Sequence, residues 1–299
     1  MRSAGVRTVA NDVGSDRPAA QSIKVTLGGV AETVLWPLYS RAAFASGPRA
    51  ILQDPRAIGI VNAIDYPFAR HFRRPSKAHA LRAASFDDEV RRFLSEHPDG
   101  TVVALGEGLE TGFWRVDNGR VRWLSVDLPE VIDLRARWLP DTERHRNLAC
   151  SVLDARWMDE VDRSRGVFLT AAGLLMYFEP SDVEALLAAC AGRFLGSEIM
   201  FDVIPRWLSD KTVRGRQLTR HYRTPPMPWG LDAAERGMLR AIHPNIVDVR
   251  DVDVRRRRSF ALIMALLCRL PVPTLGVVGW PPFVVVRFGG MHAAIDSIV

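Results

Sequence analysis

Val102, Val103, Ala104, Leu105, Gly106, Glu107, Gly108, Leu109, Glu110 and Thr111 follow one another in a single stretch. Four apolar residues rich in valine predict a buried strand of a parallel sheet. Gly106 and Gly108 end that strand in a tight turn. Phe113, Trp114 and Arg115 lead away from the turn, and a second apolar strand, Trp123 to Val126, stops at Asp127. A strand, a glycine turn and an acid at the tip of the next strand form a nucleoside-binding unit. The glycines let backbone approach the ligand, and the carboxylate accepts from ribose hydroxyls.

The local chemistry narrows the ligand. A dinucleotide fingerprint needs a third glycine where the helix packs on the strand, and Thr111 occupies that position. No Gly-Lys-Ser/Thr follows, so a P-loop is absent. Glu107 and Glu110 flank the turn and would repel a pyrophosphate, but they suit a cationic ligand without phosphate. S-adenosylmethionine, a sulfonium with an ammonium on its tail, is such a ligand. A strand–turn–strand that binds nothing is the plain alternative, and Asp127 is the residue that weighs against it.

The motifs resemble those of the leucine carboxyl methyltransferases, in particular the bacterial branch linked to polyketide O-methylation. Leu105 to Thr111 with Phe113, Trp114 and Arg115 resembles the family's first motif. Val126 to Val131 followed by Arg135 resembles the second, Asp154 with Trp157 the third, and Gly173 to Tyr177 the fourth. Arg82, ahead of Phe86 and Asp87, sits where the family keeps an arginine before the first strand. The likeness covers roughly Ala57 to Trp207. It implies a Rossmann-like α/β fold with helices on both faces, an N-terminal helical cap and a lid insertion. It also implies S-adenosylmethionine as cofactor, held by Arg82, Gly106, Glu107, Gly108, Asp127, Leu128, Asp154, Ala171 and Ala172.

Three positions depart from the family. Glu110 replaces an aspartate, Gly112 an arginine, and Ala172 the glutamate that usually precedes Gly-Leu-Leu-Met-Tyr. That glutamate would meet the methionine ammonium, so Glu107 or Glu110 is expected to take its place. Asp127 has a second reading as a helix cap, Tyr177 as a packing residue, Trp157 as core and Arg82 as a surface arginine. Tyr177 and His221 are the candidate catalytic residues, His221 lying in the expected lid.

Composition fits a globular chain of 299 residues with 47% apolar content. No apolar run approaches the roughly 20 residues of a bilayer span. Met1 to Gln21 reads as a polar, disordered tail and not as a secretory signal. Cys150, Cys190 and Cys268 match no metal spacing, which implies a reduced, cytoplasmic setting and no metal site. The net charge is +6, carried almost wholly by arginine, since Lys24, Lys77 and Lys211 are the only lysines. Acids interleave with the arginines, and no aromatic platform accompanies Arg255 to Arg258, so nucleic acid is not the expected partner. Phe260 to Leu270 is too short to span a membrane and is expected as a packed helix.

The chain organises as a tail (1–21) and a single domain (22–299). Within the domain, 22–98 forms the helical cap, 99–205 the cofactor-binding core, 206–246 the lid and 247–299 the last part of the sheet. Strands are expected at Val102–Leu105, Trp123–Asp127, Leu148–Val152, Val167–Ala171 and Glu198–Val203, with helices at Leu128–Trp138 and Pro180–Phe194 between them. Ala233–Ile242 reads as helical, Ile246–Val254 as extended and Phe283–Phe288 as a last strand. Pro205–Gly230 has no clear period. The functional expectation is O-methylation of a small molecule, favouring the carboxylate of a natural product. An ionised carboxylate needs no base, whereas a phenol does. Two alternatives stand: a methyltransferase-like protein that binds nucleoside without turnover, and an NAD(P)-dependent reductase, which Thr111 disfavours.

Overall fold

The computed structural model describes residues 23–25, 27–46, 50–72, 74–215, 217–252 and 283–290. The tail Met1–Gln21, the run Arg255–Arg258, the segment Phe260–Leu270 and Cys268 lie outside the described residues.

Short strand β1 (Ile23–Lys24) pairs in parallel with β2 (Ile64–Asp65), and between and beyond them come α1 (Gly29–Glu32), α2 (Leu35–Phe44), α3 (Pro55–Ala63), α4 (Phe68–Phe72) and the long α5 (Lys77–Glu96). The main sheet follows. It contains β3 (Thr101–Leu105), β4 (Arg122–Asp127), β5 (His145–Ala149), β6 (Val167–Ala171), β7 (Glu198–Asp202), β8 (Ile246–Asp251) and β9 (Phe283–Phe288) in the order β5-β4-β3-β6-β7-β9-β8. Pairings from β5 to β7 are parallel, and β9 is antiparallel to both β7 and β8. This is the α/β sheet expected of the glycine-turn motif. The chain winds outward from β3 to β5 and returns to β6 on the other side. That reversal opens a crevice at the carboxyl ends of β3 and β6, where open α/β sheets hold ligands.

Alternation along the central strands supplies both layers. Val102 and Ala104 of β3 and Phe168 of β6 pack with Phe86, Val90, Phe93 and Leu94 of α5. Val103, Leu105, Leu169 and Ala171 face Val183, Leu186, Leu187 and Cys190 of α8 (Pro180–Arg193). Strands covered on both faces read as continuous apolar runs, which is why the β3 sequence is so plain. The cap has a core of its own, with Leu35, Leu38, Ile60, Phe68 and Phe72 packed together.

Three expected elements shift. The strand expected at Leu148–Val152 runs at His145–Ala149, pairing Ser125 with Asn147 and Asp127 with Ala149. It is an edge strand, so its polar residues find solvent or side-chain partners, and apolar pattern does not mark it. The helix expected at Leu128–Trp138 is the shorter α7 (Pro129–Arg135), which follows the one-turn α6 (Gly112–Val116) after the glycine turn. The irregular Pro205–Gly230 segment opens with a helix, α9 (Arg206–Val213). Of the described residues, no helix is long and apolar enough to cross a membrane, and no group of three or more His, Cys, Asp or Glu could hold a metal ion.

Candidate active site

The crevice is a cavity of about 660 Å³ walled by the cap, the carboxyl ends of β3, β4, β6 and β7, and the segment after α9. Gly106 and Gly108 form its floor with φ of +58° and +57°, left-handed backbone that favours glycine. A Cβ on Gly106 would stand 2.4 Å from Leu174 Cδ1, and one on Gly108 2.9 Å from Val34 Cγ1 of the cap. The turn is thus pressed between the sheet and the cap.

Asp127 ends β4 and lines the cavity while only 8% exposed. Its Oδ2 accepts from Gly108 N at 2.7 Å and its Oδ1 from Leu128 N at 2.8 Å. Each oxygen keeps a second lone pair. Burial pushes its pKa up, against the pull of those two backbone N–H groups. Leu128, beside it, is exposed toward the same cavity.

The two acids of the turn are engaged elsewhere. Glu107 pairs with Arg135 at 2.9 Å and accepts from Trp123 Nε1 and the Ser125 hydroxyl. Arg135 is fully buried and also donates to the carbonyls of Gly108 and Glu110, at 2.8 and 2.6 Å. The pair therefore ties the turn to β4. Glu110 meets Arg41 NH1 at 2.8 Å and Arg115 NH1 at 2.6 Å. Burial raises its pKa, but Arg115 and Arg41 outweigh this and hold it down to about 2. Asp54 completes the cluster, accepting from Arg41, Arg115, the Thr111 hydroxyl and Ala57 N. Thr111, where a dinucleotide site would have glycine, is thus a bolt between the turn and the cap. Glu107 and Glu110 border the cavity, yet neither is an unpaired carboxylate there.

Arg82 projects from α5 over Gly173, whose φ of +71° and missing Cβ leave room for the guanidinium. Its partner is Asp202 at the end of β7, at 3.2 Å, and Asp202 also accepts from Gly173 N. Ala172 lines the cavity beside this pair. Tyr177 lines it too, with its phenol against the Thr33 side chain and its pKa raised by burial.

Other expected residues lie apart from the cavity. Ala171 is buried toward α8, because side chains alternate along β6 and its neighbours Thr170 and Ala172 take the cavity side. Asp154 caps the 3₁₀ turn Ala155–Glu160 by accepting from Arg156 N at 3.1 Å, and it pairs with the Arg156 guanidinium. Ser151 and Val152 border the cavity in its place. His221 is exposed and stacks on His71, ring centroids 6.1 Å apart. Its neighbour Tyr222 points inward, lines the cavity and packs edge-on against Phe72. Trp157 is core.

Residues that sequence reasoning passed over include Arg41, Asp54, Asp202 and His79. Asp54 carried a signal, since it precedes Pro55 and caps α3. His79 lines the cavity on α5, edge-on to Trp36 at 4.9 Å between ring centroids. Burial, then the guanidiniums of Arg82 and Arg41, lower its pKa to about 3.

The geometry can be set beside known proteins. Residues 38–191 match the model of a family described as leucine carboxyl methyltransferase. The chain is 35% identical over 187 residues to the tetracenomycin polyketide synthesis O-methyltransferase TcmP of Streptomyces glaucescens, covering 61% of this chain and 69% of that protein. It is 29% identical over 202 residues to the S-adenosyl-L-methionine-dependent methyltransferase dpfgK of Gibberella zeae, covering 60% and 67%. A solved O-methyltransferase family protein from Burkholderia thailandensis aligns with a TM-score of 0.37 at 15% identity, over 87% of this chain and 71% of that one. The family match spans most of the cap, the glycine turn, Asp127 and the Gly173–Tyr177 motif: this chain belongs to the leucine carboxyl methyltransferase family.

Proposed function

We propose that this chain is an S-adenosylmethionine-dependent O-methyltransferase acting on a small molecule of the polyketide type. The observation that carries the reading is the left-handed Gly106–Gly108 turn with Asp127 at its side, opening on a cavity large enough for both a nucleoside and an acceptor. The name of the Streptomyces relative supports the O-methyl chemistry and the acceptor class, and that of the Gibberella relative supports the cofactor.

The cofactor of this methyltransferase family is S-adenosylmethionine, which supplies an electrophilic methyl on a sulfonium. The residues present fit it. Asp127 holds the turn with one lone pair on each oxygen and offers the others to the ribose hydroxyls. The Arg82–Asp202 pair matches a zwitterion, with the guanidinium for the methionine carboxylate and the Asp202 carboxylate for the ammonium. Asp202 thus stands in for the glutamate missing at Ala172, in place of Glu107 and Glu110. Leu128, Ser151 and Val152 border the nucleoside end. Trp36, Tyr177 and Tyr222 border the remaining space, which the acceptor fills. The cap and the segment after α9 wall this space, and alignment of acceptor and methyl within it would supply up to roughly 7–11 kcal/mol in well-oriented systems.

Calorimetry with S-adenosylhomocysteine and with NADP, followed by transfer of labelled methyl to a panel of polyketide-like phenols and acids, tests this reading. Binding of the first ligand and label in an ether or ester are expected. Binding of NADP instead would establish the reductase, and tight S-adenosylhomocysteine binding without transfer would leave a nucleoside-binding protein.

A further inference from the structure

Acids interleave with the bases along most of this chain, but residues 66–86 and 211–231 contain no aspartate or glutamate at all. Folding brings these two stretches together. The Thr219 hydroxyl donates to the His71 carbonyl at 2.9 Å, His221 stacks on His71, and Tyr222 packs edge-on against Phe72. Both stretches wall the cavity, the first through Ser76, Ala78 and His79, the second through Thr212, Leu218, Tyr222 and Thr224. Ala78 lines the cavity and is also exposed, so this wall reaches solvent there.

Within two residues of those lining positions stand Arg74, Lys77, Lys211, Arg214, Arg220 and Arg223. Lys77 is half-buried and the other five are exposed. None of the six forms an ion pair with a carboxylate among the described residues. The guanidiniums inside the cavity, Arg41, Arg82 and Arg115, are all paired. Of the acids near the two stretches, Glu32 is held by Tyr66 and His71, and Asp87 by Arg115.

The other end of the cavity has the opposite balance. Its lining includes five carboxylates, those of Asp87, Glu107, Glu110, Asp127 and Asp202, against the guanidiniums of Arg41, Arg82 and Arg115. Buried Arg135, paired with Glu107, offsets one more. The site is therefore polarised, with acids in excess where a sulfonium is expected and unpaired cations beside the opening. An entrance lined by one sign of charge focuses the field and raises the encounter rate of the opposite charge.

We propose that these six side chains form a basic collar that captures a negatively charged acceptor and guides it into the cavity. The proposal rests on the methyltransferase reading and adds a charge requirement on the acceptor. The collar acts on net charge at long range, so it is indifferent to the geometry of the anion and to which oxygen is methylated. It speeds arrival and leaves the transfer step alone.

Stopped-flow binding to the full chain saturated with S-adenosylhomocysteine tests this. The probes are anthraquinones bearing a carboxylate, a sulfonate or a neutral carboxamide at the same ring position. Both anions should associate at least about tenfold faster than the amide at low salt. The advantage should vanish as ionic strength rises from about 0.01 M to about 1 M, where the screening length shrinks from roughly 30 Å to roughly 3 Å. Arg74→Gln/Lys77→Gln/Arg220→Gln/Arg223→Gln should remove most of it, with S-adenosylhomocysteine affinity and the amide's rate unchanged. The smaller Lys211→Gln/Arg214→Gln should remove part of it, and decides the matter if the fourfold variant does not fold. An amide as fast as the anions, an advantage that survives these substitutions, or a sulfonate that behaves like the amide would each overturn the collar. So would failure of all three probes to bind the loaded chain. Failure of S-adenosylhomocysteine itself to bind would overturn the reading beneath it instead.

Discussion

Replacing Asp127 by alanine separates the work of one carboxylate into folding and binding. In the free protein the loss strands two backbone donors, Gly108 N and Leu128 N, which now sit 2.7 and 2.8 Å from its oxygens. Both border the cavity, so water can replace part of the bond, and the folding cost is about 1–3 kcal/mol. At roughly 2–4 °C per kcal/mol for a chain of this size, the melting temperature should fall by about 2–12 °C. Binding should suffer more. Two hydrogen bonds from ribose hydroxyls to a carboxylate contribute about 1.5–3 kcal/mol each, and roughly 1.4 kcal/mol is a decade. The Kd for S-adenosylhomocysteine should therefore rise at least a hundredfold. Asp127→Asn should fall between, because its amide must turn an N–H toward one of the two backbone donors. Titration calorimetry alongside a melting curve reads both effects. A Kd within threefold of the unaltered protein would refute the ribose assignment, whatever the melting curve shows.

Acid should weaken the fold in two stages. The pKa of His79 is lowered to about 3 and that of His145 to about 4, both from 6.5 and both chiefly by burial. The unfolded chain therefore takes up protons below pH 6.5 that the folded chain refuses, costing about 2 kcal/mol for each histidine at pH 5. Glu110 acts lower: its folded pKa of about 2 lies beneath its ordinary 4.5, so its stabilisation is whole above pH 4.5 and drains away toward pH 2. A melting temperature that stays level from pH 7 to pH 5 would contradict the histidine assignment. Separately, Gly108→Ala should destabilise by about 1–3 kcal/mol through its left-handed backbone and its 2.9 Å approach to Val34. Trimming the neighbour in Gly108→Ala/Val34→Ala should return part of the melting temperature, and no recovery would mean that backbone strain alone is responsible.

What could be read from the chain was whatever depended on near neighbours. The valine run, the positive-φ glycines and Asp127 belong to one β-turn-β unit, and their pattern is dictated locally. The partners of Glu107 and Glu110 were another matter. Two acids around a glycine turn look like a welcome for a cationic ligand until Arg41, sixty-nine residues before Glu110, and Arg115 close on one of them and Arg135 on the other. Asp202 and His79 escaped notice for the same reason, since their meaning lies in Arg82 and Ser40, which only folding brings near. Edge strand β5 was misplaced because solvent on its open side removes the apolar pattern that marks a strand. Asp154 is the converse case: an acid in a familiar motif position caps a 3₁₀ turn.

The place of β9 has a consequence for how the molecule is assembled. It is the last-synthesised of the seven strands, yet it lies inside the sheet, between β7 and β8. While a nascent chain still lacks Phe283–Phe288, the open flank of β7 and the whole of β8 have no pairing partner among the described residues. An unpaired, valine-rich edge is a template for other chains. Asp202, at the tip of β7 opposite Phe283, takes its final setting only when that late strand arrives. The corner that grips Arg82 therefore forms at the end of folding, and a translation pause or truncation ahead of β9 should yield aggregation before it yields a merely inactive enzyme.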